Sequence, residues 1–114
     1  MSTRPSTGNR YAPIVAALCR AHGWPEPVAE VALIPGRRFR CDLVWESAKV
    51  VVEIQGGLWL KRSGHVGGKA QLDDYEKANL LQLLGYRVFM VSPQQVTDGT
   101  LTGLLALVFA RAAQ

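Results

Sequence analysis

Two extended apolar runs, Arg37 to Trp45 and Lys49 to Gln55, are separated only by Glu46-Ser47-Ala48. A connection this short leaves two neighbouring strands almost no choice but an antiparallel hairpin. Side chains alternate along a strand, so Phe39, Cys41, Leu43 and Trp45 are expected on one face and Arg38, Arg40, Asp42 and Val44 on the other, solvent-side and basic. On the following strand Val50, Val52 and Ile54 share a face, with Glu53 and Gln55 on the opposite one. If Glu46 faces Lys49 at the turn, the register sets Asp42 directly across from Glu53. Facing carboxylates repel, so the hairpin predicts either a cation between them or basic neighbours such as Arg38 and Arg40 that neutralise them at the surface.

The rest of the chain supplies a frame for this pair. A helix is expected over Tyr11 to Ala21, ended by His22-Gly23, and a first strand over Val28 to Leu33, followed by a Pro35-Gly36 turn. Beyond a glycine-rich loop from Gly56 to Gly68, Leu72, Tyr75, Asn79, Leu80, Leu83 and Leu84 recur at helical spacing over Ala70 to Leu84, with Gly85 as the stop. Tyr86 to Val91 reads as a buried strand and Leu101 to Ala112 as a last amphipathic helix. The order is α-β-β-β-α-β-α, an α/β (α+β) fold with a mixed sheet flanked by helices. With 114 residues, 48% of them hydrophobic, one domain over 11–114 is expected, preceded by a flexible polar arm over 1–10.

Charge is unevenly distributed. The net charge is +4. Between Gly36 and Lys69 seven positive residues (Arg37, Arg38, Arg40, Lys49, Lys61, Arg62, Lys69) stand against three negative ones, so this segment accounts for the whole excess. A concentrated basic segment suits a polyanion such as DNA, because neutralised phosphates release counterions; a solvated strand face is the plainer alternative. Cys19 and Cys41 lack CxxC spacing and sit in apolar stretches, which reads as two buried thiols in a reducing compartment. No run is long enough to span a bilayer and the polar start lacks a signal-peptide core, so a cytoplasmic protein with no membrane partner is expected. Two histidines and no zinc spacing disfavour a zinc enzyme, and Ser63 lacks the G-x-S-x-G turn of a serine hydrolase.

From Glu30 to Val96 the motifs run in a definite order. Glu30 is followed by Pro35-Gly-Arg-Arg-Phe-Arg-Cys-Asp42, then by Val52-Glu-Ile-Gln-Gly-Gly57 with Trp59. Gly64-His65, Asp74-Tyr-Glu-Lys77, Gly85 and Tyr86-Arg-Val-Phe-Met-Val91 complete the series. This series resembles the small PD-(D/E)XK endonucleases related to very-short-patch repair nucleases and to phage and bacterial standalone endonuclease domains; the order carries the resemblance, and no single piece does. The resemblance implies a restriction-endonuclease-like core and a Mg2+-dependent endodeoxyribonuclease, with Mn2+ substituting, in which water is the nucleophile. It implies Asp42 and Glu53 as metal ligands and Glu30 as a third acid that ligates the metal or orients a water.

The pattern departs from the family at Gln55, where a lysine is usual. Glutamine can hold a water but cannot supply positive charge. Lys77 reads either as the replacement for that lysine or as a surface residue paired along its helix with Asp73 or Asp74. Arg37, Arg38, Arg40, Lys61, Arg62, His65 and Lys69 are the candidate DNA contacts, and Trp24 and Trp59 are candidates for stacking on unpaired bases or for packing. A small domain of this kind favours cutting directed by branched or Holliday-junction structure. The alternatives are a catalytically inactive nucleic-acid-binding domain, with Gln55 marking the dead site, and an interaction protein. A two-fold homodimer suits an enzyme that cuts paired strands, with Leu101, Leu104, Leu105, Val108 and Phe109 as its surface; the same residues equally suit a cover for the sheet.

Overall fold

The computed structural model describes residues 6–55 and 68–110. They form α1 (Thr7–His22), β1 (Val28–Val31), β2 (Cys41–Trp45), β3 (Val50–Ile54), α2 (Gly68–Leu83), β4 (Arg87–Val91), α3 (Pro93–Thr97) and α4 (Thr100–Ala110). The four strands make one sheet in the order β1-β2-β3-β4, with β1-β2-β3 an antiparallel meander and β4 parallel to β3. The fold is therefore mixed α/β. A parallel β3–β4 pair needs a crossover, which α2 provides.

The hairpin has the register that its turn demands. Leu43 faces Val52, Val44 faces Val51 and Trp45 faces Val50, and one further step sets Asp42 across from Glu53. The turn closes through the Lys49 N–H donating to the Glu46 carbonyl at 3.1 Å, with Lys49 in a left-handed conformation (φ 56). Leu43, Trp45, Val50, Val52 and Ile54 pack beneath Val15 and Cys19 of α1 and Leu101, Leu105, Val108 and Phe109 of α4. Val44 and Val51 pack on the opposite face against Leu81 and Tyr86. Each such fully buried Val or Leu contributes roughly 1.5–3 kcal/mol, and β3, buried along its whole length, is the most strongly held strand.

Several elements differ from the sequence expectation. The face carrying Asp42 is not a solvent face, because α2 lies over it and leaves Val44 and Val51 buried. Residues 37–40 are irregular and the expected alternation holds only from Asp42 on, because Cys41 clusters with Ile34, Val44 and Leu81 instead of with Leu43 and Trp45. β4 is an edge strand, with Arg87 and Met90 exposed. α1 starts at Thr7, four residues inside the stretch expected to be an arm, because Ser6 caps it by accepting the Asn9 N–H at 3.2 Å. α3 was not expected; Ser92 and Gln95 build a capping box around Pro93 that starts it.

The helix faces are set by the sheet. Among the described residues of α2 Leu81 is buried, whereas Leu72 and Leu83 of the expected apolar stripe are 63% and 82% exposed. On α4, Leu101, Leu105, Val108 and Phe109 are buried and Leu104 packs against them, so these residues cover the sheet. α2 ends as expected at Gly85, whose φ of 92 lets its N–H reach the Gln82 carbonyl while the Tyr86 N–H reaches that of Leu81. Both cysteines are buried free thiols. No helix among the described residues is long and apolar enough to cross a membrane.

Candidate active site

The recorded β2–β3 ladder pairs stop at Leu43 and Val52, and just beyond them side chains take over from carbonyls. The Asp42 N–H donates to Glu53 Oε2 at 2.9 Å, and the Ile54 N–H donates to Asp42 Oδ2 at 2.7 Å. Each carboxylate thus reaches across to the partner strand's amide, or to the one beside it, in a charge-assisted bond that fixes its orientation. Glu53 is buried, with only 6% of its surface exposed, and Asp42 is half-buried.

Lys77 completes the group. It lies one turn before Leu81 on the face of α2 that meets the sheet, and its Nζ contacts Glu53 Oε1 and the Arg40 carbonyl, each at 2.5 Å. Its recorded partner is therefore the strand carboxylate and not Asp73 or Asp74, which the helical spacing alone had offered. Gln55 lies just past the end of β3, half-buried, its own N–H held by the Val91 carbonyl at 2.8 Å. Glu53, Gln55, Asp74, Lys77 and Met90 line one small cleft, so the ammonium enters from α2 the space beside the glutamine.

The electrostatics are those of a cluster short of positive charge. Burial pushes the Asp42 carboxyl above its ordinary range, opposed by the Ile54 N–H and by Lys77 and reinforced by the charge of Glu30. Burial likewise raises Glu53, opposed chiefly by Lys77. The neighbouring Cys41 thiol is pushed up to about 11, by burial first and then by the charges of Glu53, Asp42 and Glu30, with Lys77 alone working against them. Three carboxylates thus act on one neighbourhood against one ammonium.

Glu30 stands apart in its contacts. Its carboxylate accepts the Gly8 N–H of α1 at 2.9 Å. Gly8, together with the Arg40 carbonyl, is a part of the site that sequence reasoning missed; nothing local in the sequence links it to Glu30, 22 residues away.

No group of three or more His, Cys, Asp or Glu side chains among the described residues is arranged to hold a metal. A Mg2+ ion does not need one, because it keeps several waters and commonly uses one or two carboxylates with substrate phosphate. Asp42 and Glu53 fit that smaller requirement. They are hard oxygen donors, Asp42 Oδ1 has no hydrogen bond among the described residues, and each ionised carboxylate has about four acceptor positions.

The basic candidates divide. Arg37 is engaged, bonded through both guanidinium nitrogens to Glu76 at 2.5 and 2.7 Å and lying over the Phe39 ring at 4.6 Å. Arg38 and Arg40 are exposed in the segment that leads into β2. Lys61, Arg62, His65 and Trp59 lie outside the described residues, as does the side chain of Lys69. Trp24 is a packing residue, stacked between His22 at 4.3 Å and Phe109 at 5.8 Å. It lines a cleft of about 970 Å³, together with Ser47 and Ala48 of the hairpin turn. That cleft is at the turn end of the hairpin, away from Asp42 and Glu53, and shares no residue with the small cleft lined by Glu53 and Lys77.

No protein-family model matches the chain, and no curated protein or solved structure matches it.

Proposed function

We propose that this chain is a metal-dependent endodeoxyribonuclease of the PD-(D/E)XK kind, with a restriction-endonuclease-like core. The observation that carries the reading is Lys77, brought from α2 to within 2.5 Å of Glu53 beside Asp42 and Gln55. A surface helix lysine would have no reason to be there. A site whose usual lysine is replaced by Gln55 needs positive charge from elsewhere, and α2 delivers it to the acidic pair.

Asp42 and Glu53 would hold a Mg2+ ion, which when bound supplies Lewis acidity and a water more easily deprotonated than bulk water. The chain's own residues do the rest. Lys77 holds Glu53 in place and puts a fixed positive charge beside the carboxylates, where a phosphate gaining negative charge would be stabilised. Gln55 offers an amide to orient a water in the same cleft. Arg38 and Arg40, exposed in the irregular segment just before β2, would contact the phosphate backbone. The DNA partner and a preference for branched substrates belong to this proposal.

A second reading is favoured by one observation. Both oxygens of Glu53 already have protein partners, as they would in a domain that keeps the nuclease fold only to bind DNA. One experiment separates the two. Wild type and Asp42→Asn are incubated with labelled four-way junction, flap, duplex and single-stranded DNA in Mg2+, Mn2+ or EDTA. Metal-dependent cutting by wild type that is lost in Asp42→Asn supports the nuclease and ranks its substrates; tight binding without cutting in every lane moves the assignment to the binding domain.

A further inference from the structure

We infer that Glu30 is a positioning residue, whose carboxylate caps the start of α1 and through it fixes the β2 backbone at Asp42, and that it is not a third ligand to a cation. The register Val28↔Val44 and Ala29↔Leu43, carried one step further, would set Glu30 against Asp42 as a third acid in the row. That pair is the one the ladder skips. Glu30 takes a left-handed backbone conformation (φ 58), shared among the described non-glycine residues only with the turn residue Lys49. L side chains rarely adopt it, and a strand bends where it occurs. The consequence on the page is the contact of Glu30 Oε2 with the Gly8 N–H, 2.9 Å away.

The first turn of a helix has amides with no partner inside it, and its positive end favours a carboxylate. Ser6 Oγ takes the Asn9 N–H, and Glu30 takes the Gly8 N–H, so two side chains divide that work. At Gly8, α1 also comes very close to β2. A Cβ built there would lie 2.3 Å from the Asp42 carbonyl oxygen and 2.6 Å from Glu30 Oε2. The Asp42 backbone is therefore packed closely against Gly8 on its carbonyl side and bonded to Glu53 through its N–H. Displacing the start of α1 displaces the peptide that carries the Asp42 carboxylate. The contact stands independently of the nuclease reading, and only its consequence for cleavage rests on that reading.

A glutamine keeps an oxygen that can accept the Gly8 N–H but is a far poorer ligand for a hard cation, so Glu30→Gln separates the two roles. The full chain is prepared as wild type, Glu30→Gln, Glu30→Ala and Gly8→Ala. Three things are measured: exchange of the residue 8 amide by NMR, Mn2+ affinity by calorimetry, and Mn2+-dependent cutting of branched DNA. Glu30→Gln is expected to stay within about threefold of wild type in all three, since the acceptor survives. Glu30→Ala should lose about tenfold in amide protection and about tenfold in kcat with KM little changed, as the frame of Asp42 loosens. Gly8→Ala should lower kcat similarly although Glu30 is intact. Loss of Mn2+ affinity in Glu30→Gln well beyond threefold overturns the inference and makes Glu30 a ligand; wild-type behaviour of Gly8→Ala also overturns it. If wild type neither binds Mn2+ nor cuts, the nuclease reading fails, and the exchange of residue 8 in Glu30→Gln against Glu30→Ala still decides the cap.

Discussion

Removing Lys77 tests the site without assuming what it does. Its ammonium and the Glu53 carboxylate meet at 2.5 Å with side chains only 13% and 8% exposed, so solvent screens them weakly. Truncating one partner of a buried pair leaves the other charged and unpaired, which costs roughly 3–5 kcal/mol. The residual exposure argues for the lower end, and the lost donor to the Arg40 carbonyl adds back a fraction. Lys77→Ala is therefore expected to lose about 3 kcal/mol near neutral pH, a fall in Tm of roughly 10 °C for a domain of this size. Equilibrium urea melts measure it. The deficit must also depend on pH. A carboxyl raised on folding binds a proton over a window in which the unfolded chain has lost it, so stability falls as pH rises through that window. Lys77 is what opposes this rise at Glu53, so its loss carries the window upward, and the deficit shrinks as pH falls toward roughly 4.5 and Glu53 protonates. Adding Glu53→Gln keeps an acceptor for the Asp42 N–H, removes the stranded charge and should restore about 2 kcal/mol. A loss below about 1 kcal/mol, or one that is flat with pH, refutes the buried-pair reasoning.

Asp42→Asn keeps an oxygen for the Ile54 N–H and removes a carboxylate that burial disfavours, so it should abolish cutting while leaving the protein as stable as wild type or more so above the ordinary Asp range. The stability gain should vanish in melts run below that range, where Asp42 of wild type is itself protonated. Millimolar Mn2+ should raise the Tm of wild type and leave that of Asp42→Asn unmoved, as thermal melts with and without EDTA will report. Arg38→Ala should weaken DNA binding and lower the slope of log affinity against log salt by about 1, measured by fluorescence anisotropy; an unchanged slope removes Arg38 from the interface. Gly85→Ala forces a side chain into a φ of 92 at the end of α2 and should cost about 1 kcal/mol or more in the same urea melts.

The acidic pair was legible because a strand has period 2 and the turn between Trp45 and Val50 leaves one register; both facts are local. The rotation of α2 was not. Its periodicity favours Leu72, Tyr75 and Leu83 as the inner stripe, yet the sheet beneath it presents Glu53 and Asp42, and the face turned inward carries Lys77 and then Leu81. A helical pattern read alone counts apolar residues and has no access to the charge that its neighbour must have answered. α3 was legible and overlooked, since Ser92-Pro93-Gln94-Gln95 is a capping box with proline at the first position. Glu30 is legible as a third acid, but its contact with Gly8 gave no signal, because a left-handed glutamate inside a strand and a glycine 22 residues away are joined only by the packing of α1 on the sheet.

The energetics of the cluster argue for chemistry over structure. Glu53 and Asp42 occupy the two inner strands, and Glu53 lies on β3, whose other residues are all buried apolar side chains. Leucine-like side chains at 42, 53 and 77 would extend the apolar contact of Val44, Val51 and Leu81 without desolvating any charge. Replacing a buried ionic group by packed apolar residues is often neutral or stabilising, by about 1–4 kcal/mol. The chain instead keeps two carboxylates whose protonation burial favours, and it spends a lysine, an arginine carbonyl and two backbone amides to hold them. The combined change Asp42→Asn, Glu53→Gln, Lys77→Met leaves acceptors for both amides and removes all three charges. It is expected to melt at or above the wild-type temperature and to cut no DNA. A triple variant that unfolds would mean that the cluster is a structural clasp, and the reason for reading it as a site built at the expense of stability would be gone.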